Sequence, residues 1–267
     1  MKYKLLACDV DGTLLTTDRR LTDENIKAVH DLMDSGVKFV LSTGRAYPGV
    51  KQIAEKLDIE NGTFILYNGA MVVENKKPIY SLSIDKDVAL KIIEEGHKRN
   101  STMILWVENV LYAEVPSDKL QIYKEINNTD PIFIGDLKKV CDQKVTKILW
   151  YDDPVSTAKY REEMQQILKD SCGFFISRPD FLEFVNPNCS KKTALEFVAK
   201  YYGIKTNETV AVGDSYNDIP MFMGAGLPVA MGNANEDIKS LCKYITDTCD
   251  NGGVAKLIYK LIKENNQ

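Results

Sequence analysis

The sequence predicts an α/β protein: a mostly parallel sheet flanked by helices, interrupted by an inserted α+β module. Three observations predict it. Short continuous apolar runs alternate with amphipathic, helix-length segments at the start of the chain. The same alternation returns at its end, and the stretch between them reads as hairpins with helices.

Lys4 to Val10 is an apolar run of strand length, the pattern of a central parallel strand buried on both faces. Thr22 caps a predicted helix from Asp23 to Ser35, with Ile26, Val29, Leu32 and Met33 on one face and Gly36 at its end. Val37 to Ser42 is the next strand, Gly49 to Leu57 a helix, and Phe64 to Tyr67 a third strand. In the middle, a helix from Lys86 to Arg99 precedes strands at Met103 to Val107 and Leu111 to Val115, turning at Glu108-Asn109. After a less regular stretch come a strand at Thr146 to Tyr151 and a helix from Val155 to Lys169. Strands at Phe174 to Ser177 and Leu182 to Val185 follow. Ser190 then opens a helix through Tyr202, stopped by Gly203. A strand at Thr209 to Val212, a helix near Asn217 to Met223, a strand at Pro228 to Met231 and a helix from Val254 to Lys263 complete the chain.

A chain of 267 residues is long for one core and comfortable for two unequal domains. The predicted division is a core of residues 1–81 and 185–267, with residues 82–184 inserted. Apolar residues make up 44% and charged residues 27%, enough for a sizeable core. The net charge of −4 argues against a nucleic-acid partner, which needs a dense basic field. No apolar stretch reaches membrane-spanning length and no signal peptide is visible, so no membrane role is expected. Six scattered cysteines without a Cys-x-x-Cys pair suggest reduced thiols and a cytoplasmic protein. No obligate protein partner is evident. With only His30 and His97, both in helical stretches, zinc sites and Ser-His-Asp chemistry are poor candidates. Carboxylates must carry the work.

Four sites follow strands or open a helix: Asp9-Val10-Asp11-Gly12-Thr13, Ser42-Thr43-Gly44-Arg45, Lys191, and Gly213-Asp214-Ser215-Tyr216-Asn217-Asp218. In an open parallel sheet the carboxyl ends of the strands form the ligand crevice, so all four can meet there. Asp9 and Asp214 offer hard oxygen ligands for Mg2+. A carboxylate is a competent nucleophile toward phosphorus, and Asp11 can exchange a proton with the leaving or attacking oxygen. Thr43 offers a hydroxyl, Gly44 an approachable backbone N–H, and Lys191 a point charge. Taken singly each has a bland reading: a turn for Asp-Gly, a helix cap for Ser-Thr-Gly-Arg, a surface position for Lys191. Their conjunction in order outweighs those readings. Gly224-Ala225-Gly226 begins a dinucleotide-like pattern but has Val229 at the third glycine position, and Cys8 reads as a packed thiol. Trp106 and Trp150 read as core.

Together these motifs resemble the haloacid dehalogenase-like hydrolase superfamily, and its Cof-type branch in particular. Asn68-Gly69-Ala70, Met231-Gly232-Asn233-Ala234 and Gly252-Gly253-Val254-Ala255 share the likeness, which extends over essentially the whole chain. The resemblance implies a Rossmann-like core with an α+β cap inserted between the second and third motifs. It implies Mg2+-dependent hydrolysis of a small phosphorylated metabolite, such as a sugar phosphate, through an aspartyl-phosphate intermediate. On this likeness Asp9 is nucleophile and metal ligand, Asp11 the acid/base and a ligand through its carbonyl, and Asp214 the third ligand. Val10, Thr43, Gly44, Lys191 and Asn217 would hold the phosphate, with Asp218 supporting Lys191 or a metal-bound water. Lys191-Lys192 stands where the family usually has Lys-Gly; Thr193-Ala194-Leu195 keeps the register on Lys191, with Lys192 as a substitute. Sugar phosphomutase chemistry, or a silent metabolite-binding regulator, are the alternative functions.

Overall fold

The computed structural model describes residues 1–267. The chain opens with β1 (Leu5–Cys8), every residue of which is buried. Helix α1 (Asp23–Asp34) starts where Thr22 Oγ1 accepts the Asn25 amide at 3.2 Å. Its buried stripe is Asn25, Ala28, Val29 and Leu32, whereas Ile26 and Met33 are only half-buried. The polar Asn25 fits inside because its amide donates to Leu14 O at 2.8 Å and accepts from the Ala255 N–H at 3.2 Å. Then come β2 (Lys38–Ser42), α2 (Tyr47–Lys56), β3 (Thr63–Leu66), β4 (Met71–Glu74) and β5 (Lys77–Ser81). The turn Tyr67–Gly69 folds β4 back antiparallel on β3, a hairpin that its Asn-Gly pair and Met-Val-Val run could have signalled.

The inserted segment carries α3 (Lys86–Lys98), β6 (Thr102–Val107), β7 (Val110–Ala113), α4 (Asp118–Asn127), β8 (Ile132–Phe133), β9 (Val145–Tyr151), α5 (Pro154–Leu168), β10 (Gly173–Arg178) and β11 (Phe181–Val185). Its six strands lie in the order β10-β11-β9-β6-β7-β8, antiparallel except for β7 with β8. Strand alternation splits the side chains between two faces. Met103, Leu105, Ile148, Trp150, Leu182 and Phe184 pack with Ile92 and Ile93 of α3 and Met164 of α5. On the other face Trp106 Nε1 donates to the Tyr123 hydroxyl of α4 at 2.8 Å, and a buried Lys147–Glu183 pair spans β9 and β11 at 2.9 Å. Helix α4 lies in the stretch whose apolar period is irregular, and its start is fixed by Ser117 Oγ accepting the Leu120 amide. The two ends of the segment meet: Asn186 Nδ2 donates to Ser83 O at 2.7 Å across 103 residues of sequence.

The returning chain supplies α6 (Lys191–Tyr201), β12 (Thr209–Gly213), α7 (Ile219–Gly224), β13 (Leu227–Ala230), α8 (Glu236–Lys239), β14 (Tyr244–Ile245) and α9 (Gly253–Asn265). They complete an eight-stranded sheet ordered β14-β13-β12-β1-β2-β3-β4-β5, parallel from β14 through β3. Two compact units result: Met1–Thr43 with Lys51–Tyr80 and Ser190–Gln267, and Gly44–Val50 with Ser81–Cys189. The first unit's strand order reverses at β1 and β12, the point at which a doubly wound sheet opens a crevice at its carboxyl ends.

No helix is long and apolar enough to cross a membrane. All six cysteines are unpaired. His30 Nε2 bonds Leu57 O and His97 Nε2 bonds the Glu114 carboxylate, so both are engaged in local contacts.

Candidate active site

Asp9 is the first residue beyond β1, its N–H held by Val212 O at 3.0 Å, and it is 4% exposed. The following residues form an irregular turn in which Leu14 and Leu15 donate back to Asp9 O and Val10 O. Gly12 takes φ +74° there, and a Cβ on it would lie 2.5 Å from Asp214 Oδ2. No other residue leaves room for that carboxylate. Asp11 is exposed, two positions from Asp9, and Val10 is fully buried. Thr43, just past β2, is buried and its N–H donates to Ile65 O at 2.9 Å. Gly44 is the next residue in the chain and the first of the second unit.

Lys191 opens α6 behind Ser190, whose Oγ accepts the Thr193 amide at 3.1 Å. Its side chain is entirely buried, and Nζ donates to Asp9 Oδ1 at 2.7 Å, Asp218 Oδ1 at 2.6 Å and Ser42 O at 3.0 Å. Three bonds use all three ammonium hydrogens. Lys192 points elsewhere: it is partly exposed and lies 3.8 Å from Glu196. Asp218 Oδ2 accepts the Asp214 and Ser215 amides, each at 3.1 Å, so both of its oxygens are engaged. Asp214 accepts from Thr13 Oγ1 at 3.1 Å. Asn217 Nδ2 donates to Asn68 Oδ1 at 3.1 Å, and Asn217 Oδ1 accepts from Ser215 Oγ at 2.5 Å.

The structure thus brings Asp9, Thr43, Lys191, Asp214, Asn217 and Asp218 to the carboxyl ends of β1, β2 and β12 in the first unit. Sequence reading did not pick out Asn68 or Asn233 for any role. Asn233 Nδ2 donates to Gly12 O at 2.8 Å while its Oδ1 accepts the Cys249 amide at 2.9 Å, so it ties the turn after Asp9 to the loop before α9. The only signal for either was its place in a motif shared with the resembled family.

Charge is unbalanced in this group. Carboxylate oxygens of Asp9, Asp214 and Asp218 lie within 4.8 Å of one another, facing one ammonium. Burial, then the Asp218 charge, push Asp9 well above the usual carboxylate range, with Lys191 opposing. Burial, with Asp218 adding, pushes Asp214 up to about 6. For Lys191 burial lowers the pKa, but the Asp218 and Asp9 carboxylates outweigh it and hold the ammonium charged. A hard divalent cation answers that excess of negative oxygen. Asp9 and Asp214 have the donor chemistry for it, whereas Asp218 is already occupied.

A buried aspartate held by a lysine lies where the parallel sheet reverses its order, the place at which doubly wound α/β folds bind their ligands. The chain belongs to the haloacid dehalogenase-like hydrolases, whose family model matches residues 6–258, and to their Cof-type branch. A Streptococcus pyogenes serotype M6 protein designated a candidate phosphatase is 30% identical over 267 residues, 98% of this chain and 99% of its own. The 5-amino-6-(5-phospho-D-ribitylamino)uracil phosphatase YitU of Bacillus subtilis is 27% identical, over 96% of this chain and 97% of its own. A haloacid dehalogenase-like hydrolase from Bacteroides thetaiotaomicron superposes with a TM-score of 0.90 at 28% identity, covering 97% and 100% of the two chains. The chain is a phosphatase of this family.

Proposed function

We propose that this phosphatase is magnesium-dependent and hydrolyses a small phosphorylated metabolite, a sugar phosphate or similar monoester, through a phosphoryl group carried on Asp9. The observation that carries the reading is the buried Lys191 ammonium bridging Asp9 and Asp218 beside Asp214. Lys191 fixes one oxygen of Asp9 and so orients the carboxylate. Asp9 attacks phosphorus, the ester P–O bond breaks, and Asp11 delivers a proton to the leaving alkoxide. Asp11, now ionised, takes a proton from water as that water attacks the phosphoryl group. Inorganic phosphate leaves and Asp9 is regenerated. Thr43, the amides of Val10 and Gly44, and Asn217 hold the phosphoryl oxygens through these steps, and the charge of the Lys191 ammonium, whose hydrogens are already committed, offsets theirs. Asp218 keeps Lys191 in place.

Asp9, Asp214 and the Asp11 carbonyl would hold the magnesium, which when bound would supply the positive charge that an anionic phosphate needs to approach an anionic nucleophile. The three crowded carboxylates support its presence. Chelation should abolish turnover and magnesium restore it, while calcium, which is larger and takes more ligands, should inhibit by drawing Asp9 away from in-line attack. Full phosphatase activity after exhaustive metal removal would refute the reading.

The name of the Bacillus subtilis relative specifies a phosphate at the end of a ribityl chain, which supports a polyhydroxylated monoester here. A turnover screen over sugar phosphates, sugar-alcohol phosphates, nucleotides and cofactor phosphates tests this, and a preference for nucleotides would overturn it. The six unpaired cysteines support a reducing, cytoplasmic setting.

A further inference from the structure

Between β3 and β4 the chain takes three successive positive φ angles: Tyr67 at 52°, Asn68 at 56° and Gly69 at 103°. Two of these residues carry side chains, and all three are buried. Non-glycine residues hold such a conformation only where their surroundings impose it, and asparagine tolerates it best. The surroundings here are the phosphate-side residues. The Asn68 N–H donates to Thr43 O at 3.0 Å. Its side-chain oxygen accepts Asn217 Nδ2 at 3.1 Å, across 149 residues of sequence. A Cβ on Gly69 would lie 2.1 Å from Ser190 O, so the turn lies directly against the start of the helix that carries Lys191.

We infer that Asn68 is a positioning residue for phosphate binding: it fixes the Asn217 amide so that one Nδ2 hydrogen is spent on Asn68 and the other faces the substrate phosphate. This rests on the reading that Thr43 and Asn217 hold that phosphate. The Asn217 amide is gripped at both ends, by Asn68 on Nδ2 and by Ser215 on Oδ1, which settles its orientation without a ligand. Because Asn68 is anchored through its backbone to Thr43, it sets the spacing between two groups from different strand ends. Asn68 is 3% exposed as a residue, and its amide oxygen is committed to Asn217. An asparagine at this place satisfies two demands at once, the left-handed backbone and an acceptor of the right reach.

The test is a double-mutant cycle on the full-length magnesium-loaded enzyme. Asn68→Gly keeps the backbone freedom and deletes the acceptor, while Asn217→Ala deletes the group it orients. The readouts are KM and kcat for p-nitrophenyl phosphate and inhibition by inorganic phosphate. Asn68→Gly should raise KM and the phosphate inhibition constant by roughly threefold to tenfold, the worth of one oriented hydrogen bond. In the Asn217→Ala background the same change should have no further effect. Full additivity of the two substitutions, or an unchanged KM in Asn68→Gly, would overturn the inference. If Asn217→Ala alone leaves KM and phosphate inhibition untouched, it is the phosphate-holding reading itself that fails. Should Asn68→Gly fold poorly, side-chain amide NMR of the unaltered enzyme decides instead, with the Asn217 signals identified by their loss in Asn217→Ala. One proton of that amide should shift on adding inorganic phosphate and the other stay hydrogen-bonded. Two equivalent, solvent-exposed protons would be the contrary result.

Discussion

Asp9 owes its character to burial and to Lys191. Its carboxylate is nearly inaccessible in the free protein, is pushed toward protonation by its surroundings, and is steadied by one ammonium. Asp9→Asn should therefore fold with little loss, because the neutral amide relieves crowding among the carboxylates while the Lys191–Asp218 pair survives. It should lose turnover by at least about 10³-fold, since an amide cannot carry the phosphoryl group. Steady-state rates in a sample verified free of deamidation check this, and substantial activity would remove Asp9 from the nucleophile's role. The carboxylates gathered here were legible in the sequence because each sits in an acidic, glycine-marked stretch directly after an apolar run. The lysine was less so: Lys191 and Lys192 are chemically alike, and only the helix start at Ser190 decides which one turns inward. Asn68 was legible only as part of a shared motif, and its role was not, since its partner is brought to it by tertiary folding.

Among the elements, α3 shows how a charged residue is kept inside the inserted unit. Glu95 is 6% exposed on the helix and accepts from Lys98 at 2.7 Å and from Arg99 at 2.5 Å. Arg99 also reaches Glu163 of α5 at 2.9 Å, so the pair braces two helices on one sheet face. These bonds hold the Glu95 carboxyl down at about 2, below its ordinary 4.5. The folded state thus binds this proton less readily than the unfolded chain. The stabilisation is complete above about pH 4.5 and is lost as pH falls toward 2. Glu95→Gln should cost about 2 kcal/mol near neutral pH. Its stability should also fall less steeply than the parent's on acidification, as read by denaturant unfolding from pH 6 to 3. Parallel curves for the two proteins would assign the acid sensitivity elsewhere. At this scale the sequence was most readable where apolar period and cap coincided, as in α1 behind Thr22. It was least readable where polar residues dominated, as in α4, or where a strand was only two residues long, as in β8 and β14.

For the whole molecule we propose that the inserted unit governs substrate choice. The clasp between Ser83 and Asn186 shows that its two ends leave side by side. A short Gly/Ser linker in place of residues 82–184 should therefore span the gap without parting the strands that carry Asp9, Thr43 and Asp214. Such a chain should hydrolyse a small ester such as p-nitrophenyl phosphate while losing discrimination among larger metabolite phosphates, because remote contacts supply the binding energy that selects them. Unchanged selectivity in a folded protein of this kind would refute the proposal.

That clasp also bears on how the molecule is made. Thr13 meets Asp214 across 201 residues, so the two halves of the reaction centre cannot join until most of the chain exists. An inserted unit that folds first closes 103 of those residues into a single junction and roughly halves the loop left to be closed. Halving a loop saves only about 0.6 kcal/mol of closure entropy, a factor of about three in rate. The larger gain is in order of events. During synthesis every residue of the insert is made before Lys191, so the insert can fold as a unit before the residues that complete the Asp9 centre exist.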